Sequence, residues 1–193
     1  MRTSMYSRGA AVFLSVVFSP PLVALYALTL LYERFGLQWP AVMAAFFVMG
    51  PALYVLFLLG RGSVSDFHMT NGSERIGPLK LTVLSVAVGL GLMIHFGAPA
   101  AAVDFTLACL VAVFAFYAVT LYYKVSAHSA TLAAFCAMLT FFHNWDAGVA
   151  SAALLPFVSW ARVRLNRHTT MQTVTGCLLG WFAVFALLKI KGY

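Results

Sequence analysis

The chain has 193 residues, 63% of them hydrophobic and only 9% charged. Soluble domains carry about 25% charged residues, so an ordinary water-soluble fold is excluded and an integral membrane protein is expected. The net charge of +7 does not argue for a nucleic-acid partner, because the cations are spread over connections between apolar runs and form no single patch.

A bilayer core of about 30 Å needs about 20 apolar residues per helix, and seven runs approach or meet that length. Ala10–Tyr32 comes first. It is too long for the apolar core of a cleaved leader, and its Pro20-Pro21 pair reads as a kink in a retained helix. Ala41–Gly60 is the second run, and Leu79–Gly97, Ala100–Tyr123, Ser126–Phe142, Gly148–Val163 and Thr170–Leu188 follow. The fifth and sixth are short. The expected fold is therefore an all-α polytopic bundle of six to seven transmembrane helices, forming a single integral membrane domain over 1–193.

Most connections are tight and carry turn residues, as in GAPA at 97–100 and HNWDAG at 143–148. The connection at 60–80, GRGSVSDFHMTNGSERIGPLK, is long and polar, and such loops commonly carry function. Cys109, Cys136 and Cys177 fall inside apolar runs without metal-ligand spacing and read as packing thiols. Gly176 and Gly180 form a small-xxx-small pair that lets another helix approach closely. His95, Asp104, His143 and Asp146 read as interfacial or turn residues, and Tyr122, Tyr123 and Trp160 as members of an aromatic belt.

Seven crossings would place Arg2, Arg8, Arg61, Arg75, Lys80, Lys124, Arg162, Arg164 and Arg167 on one side, and only Arg34, Lys189 and Lys191 on the other. The positive-inside rule then assigns the basic face to the cytoplasm. Three polar clusters meet on that face, since an even number of crossings separates each from the next. The first holds Asp66, His68, Asn71, Glu74 and Arg75. The second is KVSAHS, in which Lys124 and His128 would share one face of a first helical turn if the helix begins by Lys124. Ser126 lies between them, where an open helix N-terminus favours an anion. The third is RVRLNRHTTMQ, in which Arg162 ends one helix and His168 precedes the next. Thr169 or Thr170 is placed to cap that helix, and Gln172 lies within reach of the imidazole. Fixed cations with two histidines describe a phosphate site: guanidinium groups match phosphate oxygens, one histidine attacks phosphorus and the other protonates the leaving oxygen. No Asp/Glu pair stands at metal-binding spacing, so a route without metal or other cofactor is expected.

These motifs resemble the type-2 phosphatidic acid phosphatase superfamily of membrane lipid phosphatases. Its signature is Lys-x6-Arg-Pro, then Pro-Ser-Gly-His, then Ser-Arg-x5-His-x3-Asp. Here Arg162 and His168 stand in register with the third part, and Ser126 and His128 with the second, Val125 and Ala127 replacing its Pro and Gly. Arg75 fits the first, with His68 at its Lys position and Ile76 at its Pro. The resemblance implies His168 as nucleophile through a phosphohistidine, His128 as general acid, and Arg75, Ser126 and Arg162 as phosphoryl ligands. Gln172 stands where the family has its final Asp, and Lys124 is read as a substitute for the missing Lys. The implied substrate is a lipid phosphate held among membrane lipids, a polyprenyl phosphate or diphosphate before a glycerolipid phosphate. Two alternatives remain: a phosphoryl or headgroup transferase on the same scaffold, and a non-catalytic binder or transporter of phosphorylated lipid.

Overall fold

A computed structural model describes residues 2–64 and 72–193, with side chains from Tyr6 onward and, after the break, from Glu74 onward. Asp66, His68 and Asn71 of the polar loop lie outside the described residues. Regular structure among the described residues is entirely helical: α1 (Arg2–Val17), α2 (Pro20–Phe35), α3 (Gln38–Met43), a π turn (Ala44–Met49) and α4 (Gly50–Gly60). A 3-10 turn (Gly72–Arg75), α5 (Ile76–His95), α6 (Ala100–Thr120), α7 (Ala127–Phe142), α8 (Trp145–Ala152), α9 (Leu155–Arg164) and α10 (Thr170–Ile190) follow.

Among the described residues, four helical stretches are long and apolar enough to cross a membrane: Gln38–Gly60, Ile76–His95, Ala100–Thr120 and Thr170–Ile190. The pair Tyr6–Val17 and Pro20–Phe35, bent by 47°, brings the number to five if it counts as one span. That is fewer than the six or seven read from the sequence. The fifth apolar run forms a helix of only 16 residues, and the sixth is cut into helices of 8 and 10. Pro156 makes that cut. It offers no N–H to the carbonyl four residues back, and its ring collides there. The chain tightens ahead of it, with Ala153 and Leu154 donating to Ala150 and Ser151, three residues behind each.

Although no linker marks the sequence, the chain folds into two compact units, Met1–Ala24 with Val125–Tyr193, and Leu25–Lys124. In the first, α7 and α10 run side by side with their N-termini at the same end. The Ser126 amide donates to the Gln172 carbonyl at 3.1 Å at that end, and Phe141 packs on Phe185 further along, ring centroids 5.1 Å apart. The small-residue pair makes the close approach possible. A Cβ on Gly176 would lie 2.7 Å from the Ser126 carbonyl oxygen, and one on Gly180 would collide with that of Ala130. Leu132, Cys136 and Val158 form a buried core against which Phe18 and Trp181 pack. Helix α1 lies along α9, and Arg164 Nη2 donates to Ser7 Oγ at 3.1 Å.

In the second unit, α5 and α6 form a hairpin. Gly97 turns it at φ +71°, and a Schellman motif closes α5, with Ala98 N–H on the Met93 carbonyl and Gly97 N–H on that of Ile94. The π turn precedes Pro51. Gly50 N–H bonds five residues back to Ala45, so the Phe46 carbonyl loses its helical donor and accepts Ser85 Oγ from α5 at 2.6 Å. Gly89 leaves room for that approach, since a Cβ there would stand 2.9 Å from Phe46 Cβ.

Candidate functional site

The segment from Arg162 to Gln172 splices two helix ends. α9 stops in a Schellman motif: Asn166 takes a left-handed conformation at φ 54°, its N–H bonds to the Val163 carbonyl, and the Arg167 N–H bonds to that of Arg162 at 3.0 Å. Two residues later Thr169 starts α10 with a capping box, its hydroxyl accepting from the Gln172 amide while the Gln172 side chain accepts from the Thr169 amide. The spacing Arg-x5-His therefore has a structural content. It places Arg162 in the last turn of one helix and His168 just ahead of the next, with the minimum of chain between stop and start.

The same cap determines the protonation pattern of His168. Gln172 Oε1 lies 3.2 Å from the Thr169 backbone nitrogen and 3.1 Å from His168 Nδ1. A backbone N–H can only donate, so the Gln172 atom facing both is its oxygen. The ring nitrogen it meets must then carry hydrogen, which leaves the lone pair of the neutral ring on Nε2. The opposite tautomer holds at His128. Its Nε2 lies 3.0 Å from the carbonyl oxygen of Ser15 in α1. A carbonyl only accepts, so Nε2 carries the proton and the lone pair of the neutral ring sits on Nδ1.

These residues lie in the interior. Ser126 is 0% exposed, His128 6%, Arg162 8% and His168 8%. Of the buried polar residues described, all but Thr106 belong to this unit: Ser15, Ser126, His128, Ser129, Arg162, His168 and Thr173. Buried polar groups carry a desolvation cost of about 1–3 kcal/mol each unless satisfied, so such a concentration marks a place where polarity is retained for a reason. Arg162 in the last turn of α9 also suits the negative end of that helix.

Several sequence expectations are realised. His128 and His168 lie at the same end of the parallel pair α7–α10, Thr169 is the cap, Gln172 reaches the imidazole, and α7 is the helix admitted by Gly176 and Gly180. Others need correction. α7 begins at Ala127, with Ser126 in extended conformation as its N-cap, so Lys124 precedes the helix and shares no first-turn face with His128. Ser126 itself caps the helix whose N-terminus was expected to be open: its Oγ accepts from Ser129 N at 3.4 Å and from Ser129 Oγ at 3.1 Å. Only its own O–H remains to donate. Lys124, Glu74 and Arg75 belong to the other unit; each is half-buried, and Arg75 ends the 3-10 turn ahead of α5. The sequence reading missed Ser15, whose contribution is a backbone carbonyl and so carries no side-chain signal, and Ser129, which supports Ser126.

No family model, no curated protein and no solved structure matches this chain.

Proposed function

We propose that the chain is a membrane lipid phosphatase working through a phosphohistidine on His168. The observation that carries this reading is the pair of buried histidines held in opposite tautomers at one end of the same helix pair. Nε2 of His168 holds a lone pair and is suited to attack; His128, once protonated on Nδ1, is suited to donate. In the first step a bond forms between Nε2 and phosphorus while the bond from phosphorus to the lipid oxygen breaks. The leaving oxygen takes the Nδ1 proton of His128. In the second step water attacks the phosphohistidine, its proton passes to His128, and the phosphorus–nitrogen bond breaks to release phosphate and neutral His168.

Arg162 offers guanidinium charge to the phosphoryl oxygens and Ser126 its hydroxyl proton. Alanine variants at Arg75 and Lys124 test the phosphate-binding role expected of each; a Lys124→Ala enzyme with normal rates would remove Lys124 from the site. Gln172 orients His168 without the negative charge that a carboxylate would add to the developing imidazolium. The apolar surroundings suit a substrate with a lipid tail, a polyprenyl phosphate or diphosphate before a glycerolipid phosphate. The excess of cations on one side of the expected topology supports a cytoplasmic site.

The test is phosphate release from a panel of lipid phosphates by the purified chain in detergent with EDTA, beside His168→Ala. Release that persists in chelator and disappears in the variant supports the reading. Product analysis with competing alcohols separates hydrolysis from transfer. Tight binding of every lipid with no turnover would reject catalysis in favour of a binder.

A further inference from the structure

The carbonyl that holds His128 is available because of a proline five residues further along α1 and its continuation. In an unbroken helix Ser19 N–H would bond to the Ser15 carbonyl, and the residue at 20 would bond to that of Val16. Pro20 has no N–H, so the Val16 carbonyl loses its donor and Ser19 N–H moves onto it, at 3.1 Å. Phe18 still bonds to Leu14 at 3.0 Å, so the slip is confined to the last turn. Ser15 is thereby left with a carbonyl that no helical amide takes, and His128 Nε2 meets it at 3.0 Å.

We propose that Pro20 is a positioning residue for the reaction: by releasing the Ser15 carbonyl it locks the His128 ring with Nε2 protonated and Nδ1 directed to proton transfer. The first helix is then part of the site. This inference rests on the phosphatase reading for its kinetic consequence, though the tautomer lock stands on geometry alone. Charge points the same way. His128 lies in the first turn of α7, where the positive end of the helix dipole opposes an imidazolium, whereas the last turn of α1 presents the negative end of its own dipole to the ring. The α1 terminus thus opposes the dipole that α7 sets against the ring. Ser15 itself cannot be probed by changing its side chain, because its contribution is the backbone carbonyl; Pro20 is the residue through which that group can be altered.

The experiment compares the full-length chain with Pro20→Ala and Pro21→Ala. Pro20→Ala restores an N–H at position 20, returns Ser19 N–H to Ser15 and removes the acceptor from His128. Pro21→Ala makes the same chemical change one residue away and leaves the Ser19–Val16 bond untouched. The chain has five histidines, so selective nitrogen-15 labelling in detergent resolves His128, assigned by its absence in His128→Gln. The native ring shows a protonated Nε2; in Pro20→Ala that signature is lost and kcat falls by about 10- to 100-fold with KM within about threefold, a part of what positioned proton transfer contributes. Pro21→Ala keeps the native signature and rate. A native His128 protonated only on Nδ1, or a tautomer unchanged in Pro20→Ala, overturns the inference even where phosphatase activity is found. If no lipid is hydrolysed, the phosphatase reading fails separately and the nitrogen-15 spectra still decide the lock. Should Pro20→Ala not fold, Pro20→Leu restores the same N–H and takes its place, and an unchanged His128 tautomer there overturns the inference as well.

Discussion

Gln172 performs two tasks with one oxygen, completing the N-terminal cap of α10 and fixing the His168 ring. Replacing it by Leu removes both. The expected result is a loss of about 1 kcal/mol in stability, the usual worth of a cap, and a fall in kcat of about 10²- to 10⁴-fold, the upper value being the cost of a wrong tautomer in a serine-protease triad. Gln172→Glu keeps the reach and adds a charge favourable both to the helix N-terminus and to the imidazolium, so its rate should equal or exceed the native one. Thermal unfolding with single-turnover kinetics checks both variants, and a Leu variant at native rate would detach Gln172 from the chemistry. Asn166 makes a separate prediction. At φ 54° it tolerates a conformation that costs most L-residues about 1–2 kcal/mol. Asn166→Ala should lower stability by roughly that amount and Asn166→Gly should not; equal melting temperatures for the two variants would contradict the role given to the left-handed turn.

At the scale of elements, prolines inside apolar runs decide where backbone hydrogen bonds slip, and side chains collect the carbonyls left behind. Pro20 frees the Ser15 carbonyl for His128, and the π turn ahead of Pro51 frees that of Phe46 for Ser85. Ser85→Ala leaves the latter, which is part-buried, without its donor and should cost about 1 kcal/mol, measurable by thermal unfolding in detergent; an unchanged stability would show that the π turn stands without it. The α7–α10 pair depends instead on the absence of side chains. Gly180→Ala sets a Cβ against the Ala130 carbonyl, a collision with backbone that repacking does not relieve, so a loss of about 1–3 kcal/mol is expected. Activity should fall with it, because Ser126 and Gln172 are joined through the same helix pair.

At the scale of the whole molecule, the sequence made some features legible and hid others for physical reasons. Helical class and membrane character follow from composition, and the Gly176–Gly180 stripe announced a close helix. Arg162, His168, Thr169 and Gln172 could be placed because stop, cap and spacing are local. The number of spans was not legible: periodicity registers apolar length but not the break at Pro156, which turns one run into two short helices. Four-residue spacing puts Lys124 and His128 on one helical face only if the helix begins by Lys124, yet Ser126 is the stronger N-cap and the helix starts after it. The Ser15 interaction could not be read at all, since a backbone carbonyl has no sequence signature and its partner lies 113 residues away.

The central claim is that His168 becomes phosphorylated during turnover. Rapid quenching of the purified chain with a lipid phosphate, followed by peptide mass spectrometry under alkaline conditions that preserve phosphohistidine, tests it directly. His128→Ala removes the donor of the first step and the acceptor of the second, so formation and breakdown should both slow. The account predicts a phosphoryl group on the His168 imidazole in the native chain, formed more slowly in that variant and absent from His168→Ala. Turnover with no phosphorylated histidine, or with the group on another residue, would contradict it.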